Sequence, residues 1–189
     1  MERRDFAQKL LALGVCPFVL SNFGNMEALT NTQLPEDDEK SKVLKAQKEF
    51  VENWLSDLLD SMENVVDRET QVKIVEGCGK QCFNRHQFKK DIAVSGDGNL
   101  DKLIEAYKKN FEIWKDADKV HIRYGETSKQ CYCPAANYRK PKENDLHCEC
   151  TRMTHQTIFE TALHKPFKVE IAESLRRGGK TCHFVVHLT

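Results

Sequence analysis

Apolar residues recur at Val43, Leu44, Phe50, Val51, Trp54, Leu55, Leu58, Leu59 and Met62, the spacing of a long amphipathic helix over 42–62. On this reading Phe50 and Trp54 are core anchors, and the acidic run after Pro35 is a linker or helix N-terminus. A second helix is predicted from Asp67 through Val72, Ile74 and Val75 to Gly77-Cys78-Gly79, where glycines favour termination. Another starts at Asn99 and turns Leu100, Leu103, Ile104, Tyr107, Phe111 and Trp114 inward. The period then changes to two: Val120, Ile122 and Tyr124 alternate with His121 and Arg123, which reads as a strand. Gly125 to Lys129 turns the chain toward Cys131-Tyr-Cys133, and the polar stretch 135–145, with Pro141, reads as a surface loop. Thr151 to His164 is helical and Pro166 stops it; Phe167 to Leu175 and Lys180 to Leu188 form a strand pair around Arg176-Arg-Gly-Gly179. This order predicts an α+β fold, an antiparallel sheet with N-terminal amphipathic helices packed on it. It divides into a helical region, 22–117, and an α/β region, 118–189, and the length suits one domain over 22–189.

Residues 1–21 admit two readings. Arg3-Arg4-Asp-Phe6 followed by the apolar stretch Leu10 to Leu20 resembles a twin-arginine export signal, which would place the protein in the periplasm or cell envelope. The stretch is too short for a membrane span. The other reading is an amphipathic first helix containing Phe6, Leu10, Leu11 and Leu13, broken by Gly14 and Pro17, in a cytoplasmic protein. Cys16 reads as a buried hydrophobe in either case.

The 29 basic and 29 acidic residues cancel, and no basic stripe interleaved with aromatics stands out, so nucleic acid is excluded as a partner. Phosphate loops, dinucleotide fingerprints and nucleophile elbows are absent from the sequence. The eight cysteines change the picture, because six stand in close pairs: Cys78 and Cys82, Cys131 and Cys133, Cys148 and Cys150. Such pairs serve as metal ligands, disulfide halves or redox thiols. The Cys-x-Cys pairs are too tight for easy internal bridges, although a bridge between the two pairs stays open.

Candidate chemistry concentrates in the last hairpin. Phe167, Val169, Ile171, Glu173 and Leu175 share one face of the first strand, and Cys182, Phe184, Val186 and Leu188 the apolar face of the second. A turn centred on Arg177-Gly178 sets Glu173 opposite Cys182, with Cβ atoms about 4.5–5.5 Å apart. Two buried anions need a cation; the alternative is a frayed Glu173 paired with Arg176 or Arg177. Cys131 and Cys133 would present both sulfurs to one side of an extended segment, and Cys148 and Cys150 would lie just before a helix whose dipole lowers their pKa. Four such thiolates suit Zn²⁺, with an iron–sulfur cluster as the rival and Cys78 with Cys82 as part of the same site or a second one. Lys129, Arg139, Lys140 and Arg152 are near enough in sequence to offset the charge. His147 and His155 flank the second pair and could ligate a metal or shuttle protons, although each alone reads as a capping or surface residue; His121, His183 and His187 read as solvent-facing.

The pattern Glu173-Ser-Leu-Arg-Arg-Gly178-Gly-Lys-Thr-Cys182-His-Phe184, with the preceding helix and strand, resembles the closing motif of the 4-vinyl reductase-like domain. It is also similar to the L-2-amino-thiazoline-4-carboxylic acid hydrolase family. The resemblance covers about 118–189 and implies a small-molecule-binding α/β fold, with zinc held by Glu and Cys side chains in some sensor members. Glu173 and Cys182 fall at matching positions, whereas Arg176 stands where several sensors carry another cysteine. Three expectations follow: a zinc-binding, small-molecule-binding module; a metal-assisted hydrolase of a small heterocycle or amide using Glu173 as general base; or an exported redox or iron–sulfur protein.

Overall fold

The structure, a computed structural model, describes residues 37–189; the twin-arginine pattern, Cys16 and Pro35 lie outside the described residues. Five helices and four strands are described: α1 (Asp37–Val65), α2 (Arg68–Arg85), α3 (Gln87–Ser95), α4 (Leu100–Lys108), β1 (Glu112–Asp116), β2 (Lys119–Arg123), α5 (Cys148–Leu163), β3 (Lys168–Glu173) and β4 (His183–His187). The strands form one antiparallel sheet in the order β1-β2-β4-β3. The fold is therefore α+β, as the change of period implied. Among the described residues no helix is long and apolar enough to cross a membrane.

Alternation decides which face of the sheet is covered. Ile113, Val120, Ile122, Val169, Phe184 and Val186 join Leu103, Tyr107, Ile158 and Phe159 of the helices in one core. The opposite face carries Trp114, His121, Arg123 and His183, with the His121 ring stacked on Trp114 at 4.9 Å. His121 and His183 are half-buried and stand 3.0 Å apart through Nδ1 and Nε2, so neither is the simple solvent-facing residue expected.

Several expectations from periodicity are corrected. Trp114 continues the spacing of the helix begun at Asn99, but that helix ends at Lys108 and Trp114 lies in β1, paired with His121. The overlooked signal is Asp116-Ala117-Asp118-Lys119: two residues between paired positions make a tight hairpin, with Ala117 at φ 49°. Phe50 and Trp54 are 70% and 58% exposed. The face of α1 that packs inward is instead Leu55, Leu59 and Met62, against Val72, Val75 and Leu146. α3 interrupts a stretch for which the sequence suggested no element.

The glycines at 77 and 79 do not end α2, which continues to Arg85. Gly79 marks a helix crossing: a Cβ there would lie 2.4 Å from the Cys150 carbonyl oxygen and 2.9 Å from Met153 Cβ. Thr154 Oγ1 donates to the Gly79 carbonyl at 3.1 Å, so α2 and α5 meet backbone to backbone. Gly79→Ala is therefore expected to cost about 1–3 kcal/mol through overpacking. Gly77→Ala, with nothing among the described residues within 4 Å of the added Cβ, should gain up to about 1 kcal/mol of helix propensity. Urea unfolding of the two variants checks the pair; equal effects would contradict the crossing.

Candidate functional site: a thiol-lined cavity beside a tyrosine–histidine relay

The stretch 135–145, expected as a surface loop, is pinned from beneath. Asp145 is fully buried, accepts from Arg176 at 2.6 and 3.0 Å and from Arg139 at 3.3 Å, and caps the His147 amide at 3.0 Å. Arg176 also donates to the Ala136, Arg139 and Lys140 carbonyls, and Arg139 reaches Asp60 and Glu63 of α1 at 3.0 and 2.9 Å. Two guanidinium groups and one carboxylate thus tie the loop to the hairpin turn and to α1. Arg176 is the organiser here. Arg139 and Arg152 are committed to carboxylates, Arg152 to Glu149 and Glu76, and are not the expected counter-charges for the thiols.

The pinned loop delivers Cys131, Cys133 and His147 to a cavity of about 50 Å³ that Cys148 and Cys182 also line. Cys131 and Cys133 flank a 78%-exposed Tyr132 and are themselves half-buried, so the i, i+2 alternation persists although the segment is not a strand. Cys182 arrives on an extension of β4: its carbonyl accepts from the Tyr124 amide at 3.0 Å, and Thr181 Oγ1 donates to the Gly125 carbonyl at 2.8 Å. Cys148 Sγ lies 2.8 Å from Ser174 Oγ.

His147, for which a capping or surface role was preferred over metal ligation, is 5% exposed, and among the described residues neither of its buried ring nitrogens has a hydrogen-bond partner. Burial lowers its pKa to about 4, with Arg176 and Arg139 acting in the same direction against Asp145, so the ring is neutral near pH 7. A buried unpaired imidazole costs free energy unless something accepts its lone pair.

Glu173 is not where the hairpin register predicts. Lys168 to Ile171 pair with Phe184 to His187 in the expected register, but a bulge between Ile171 and Glu173 moves Glu173 opposite His183. Its carboxylate accepts from the Lys180 amide at 2.6 Å and closes the turn. It forms no ion pair with Arg176 or Arg177 among those described; Arg177 binds Glu149 at 2.7 Å and the Asp145 carbonyl. Glu173 lines neither the thiol cavity nor its neighbour.

The pair Cys148-x-Cys150 is split because α5 begins at Cys148 rather than at Thr151. On a helix, residues two apart point to nearly opposite sides. Cys148 faces the small cavity, whereas Cys150 faces α2, bordering a second cavity of about 320 Å³ with Cys82 and Cys133. The anticipated lowering by the helix dipole is overridden by desolvation: burial pushes Cys148 up to about 12 and Cys150 up to about 11, the latter helped by Cys82 and Cys78. Cys182 is also raised, by burial first and then by Cys131 and Glu173. Cys78 and Cys82 lie one turn apart on the continuous α2, and Lys89 Nζ donates to Cys82 Sγ at 2.8 Å.

Beside the larger cavity stands a relay through His155, for which the sequence offered metal ligation or proton shuttling but favoured a capping or surface role. His155 is fully enclosed, with Tyr107 OH 3.2 Å from Nδ1 and Tyr124 OH 3.0 Å from Nε2. Burial holds its pKa down at about 3, so the neutral ring carries one proton. Tyr107 is completely buried and His155 is its hydroxyl's partner among the described residues, so its O–H donates to Nδ1. That leaves Nε2–H to donate to Tyr124, whose own hydroxyl proton is free for an occupant of the cavities it lines. Desolvation raises Tyr124 well above the ordinary phenol value and keeps it a donor.

As the side chains stand, no group of three or more His, Cys, Asp or Glu among the described residues is placed so that it could hold a metal ion. A model of a family of unknown function, DUF6144, matches residues 23–189. The chain belongs to DUF6144. That match takes in every cysteine of both cavities and the whole described fold. No curated protein matches the chain.

Proposed function

We propose that this DUF6144 chain is a zinc-binding module that takes a small molecule in the cavity beside the thiols. The observation that carries the reading is the convergence of Cys131, Cys133, Cys148, Cys182 and the unpartnered, neutral His147 on one small cavity. Four of these five donors would fill a tetrahedral zinc shell, and a neutral imidazole beside thiols is a donor set that zinc favours. Zinc there would be structural, stapling the loop to β4 and α5, and the ligands would draw together as the thiols lose their protons. Glu173 is absent from this donor set. The likeness of the closing hairpin to the 4-vinyl reductase-like domain supports the small-molecule part, as do the free Tyr124 donor and a neighbouring cavity of about 320 Å³.

Metal analysis and a visible spectrum of protein purified without chelators test the reading. Colourless protein with bound zinc is expected. Cys182→Ser should weaken zinc binding by more than the roughly 10–100-fold that loss of an outer-sphere partner costs, and affinity should fall with pH because binding releases thiol protons. Brown absorbance would replace zinc by an iron–sulfur cluster. Retention of all the metal in a Cys182→Ser, His147→Ala double variant would overturn the proposed site.

A further inference from the structure

The cavity of about 320 Å³ adjoins an outer one of about 790 Å³, and Phe88, Lys89, Phe111, Tyr124 and Tyr132 line both. The charges on these walls do not cancel. In the outer cavity Arg123 is answered by Glu112 at 2.7 Å and Lys108 by Glu105 at 2.6 Å, whereas Lys89 and Lys109 have no carboxylate among the described ion pairs. Lys89 donates to Cys82 Sγ at 2.8 Å and lies 5.6 Å from the Phe88 ring centroid. An ammonium carries more than one donor, so a single thiol does not exhaust it. Tyr124, held by the neutral His155, offers its hydroxyl proton to the same space.

We infer that the adjoining cavities bind a small aromatic carboxylate, its ring among Phe88, Phe111 and Tyr132 and its anionic oxygens on the Lys89 ammonium and the Tyr124 hydroxyl. Aromatic walls favour a flat apolar body, through the area removed from water and through offset or edge contacts between rings. The two polar groups select the head. Both are donors, so a head that only donates would leave them unsatisfied, and a negatively charged acceptor satisfies them together. A single charge fits better than a dianion, because Arg123 and Lys108 are already neutralised. Away from bulk water the ammonium–carboxylate bond strengthens, and Lys109, which lines the outer cavity alone, attracts the anion as it enters. The inference rests on the small-molecule half of the proposed function and is independent of zinc.

Calorimetric titration of the full-length protein, as purified, with 2-naphthoate and with its neutral amide tests the inference. The amide keeps an acceptor for Tyr124 and loses only the charge. The carboxylate should bind at least about tenfold more tightly than the amide, and its affinity alone should fall as salt is added. Lys89→Ala should abolish that preference and Lys89→Arg should retain it, whereas Tyr124→Phe should weaken both probes by about two- to tenfold. The preference is read within each variant, so loosened packing that weakens both probes alike does not mimic it. Equal binding of the two probes, or a preference that survives Lys89→Ala, would overturn the inference and leave a small-molecule cavity standing. Binding of neither probe would overturn it and count against the small-molecule reading as well, with metal content still deciding the zinc half.

Discussion

Asp145→Ala should cost about 3–5 kcal/mol, because it leaves buried cations without their shared anion. Arg176 and Arg139 are 3% and 5% exposed, and Asp145 completely buried, so water cannot take over the lost contacts. The three groups work as a unit in which the carboxylate also holds the His147 amide. Removing it should therefore release the whole stretch that delivers Cys131, Cys133 and His147. Asp145→Asn keeps the shape and some hydrogen bonds but not the charge, and should fall between wild type and alanine. Urea unfolding monitored by tryptophan fluorescence measures the loss. A change below about 1 kcal/mol, the range of an exposed pair, would show that the network does not hold the loop.

Metal-free protein should lose stability steeply as pH falls below about 6.5, earlier than carboxylate protonation explains. His147 and His155 have folded pKa values of about 4 and about 3 against an ordinary 6.5, burial being the main cause for both. A depressed imidazole pKa means that the unfolded chain binds protons first. Their contribution is thus fully present above the unfolded value and is lost as pH falls toward the folded ones. With both rings neutral when folded and charged when unfolded, the limiting slope is about 2.7 kcal/mol per pH unit. His183, lowered mainly by burial, acts in the same direction, and Glu149 and Glu170 add to the loss only below their ordinary value of 4.5. Urea melts at pH 7.5, 6 and 5 read the slope, and His147→Ala should remove about half of it. A flat profile between pH 7 and 5 would show that neither ring is held neutral.

Local signals carried much of the architecture. Val120 and Ile122 alternate because one sheet face is buried, Pro166 stops α5, and Asp67 caps α2 through the Thr70 amide at 3.0 Å. Where two signals competed, the sequence could not rank them. Gly77 and Gly79 suit a helix end or a close crossing, and only Cys150 and Met153 on α5 decide for the crossing. Trp114 satisfies helical spacing, yet pairing with His121 makes it a strand residue. The relay through Tyr107, His155 and Tyr124 could not be assembled from the sequence, since its members stand 17 or more positions apart: the two tyrosines read as apolar-face residues and His155 as a capping or surface one.

The closing hairpin shows the same division. By itself the sequence determined which residues share a strand face and the register over Lys168 to Ile171, because period and turn position are local properties of the chain. The cysteines, too, were visible as an excess in close pairs. Only the tertiary structure decided the bulge that turns Glu173 toward the Lys180 amide, the helix start that divides Cys148 from Cys150, and the buried anion at Asp145 that seats His147 among the thiols. Each depends on desolvation and on partners distant along the chain, and those are energies that no local pattern of residue types encodes.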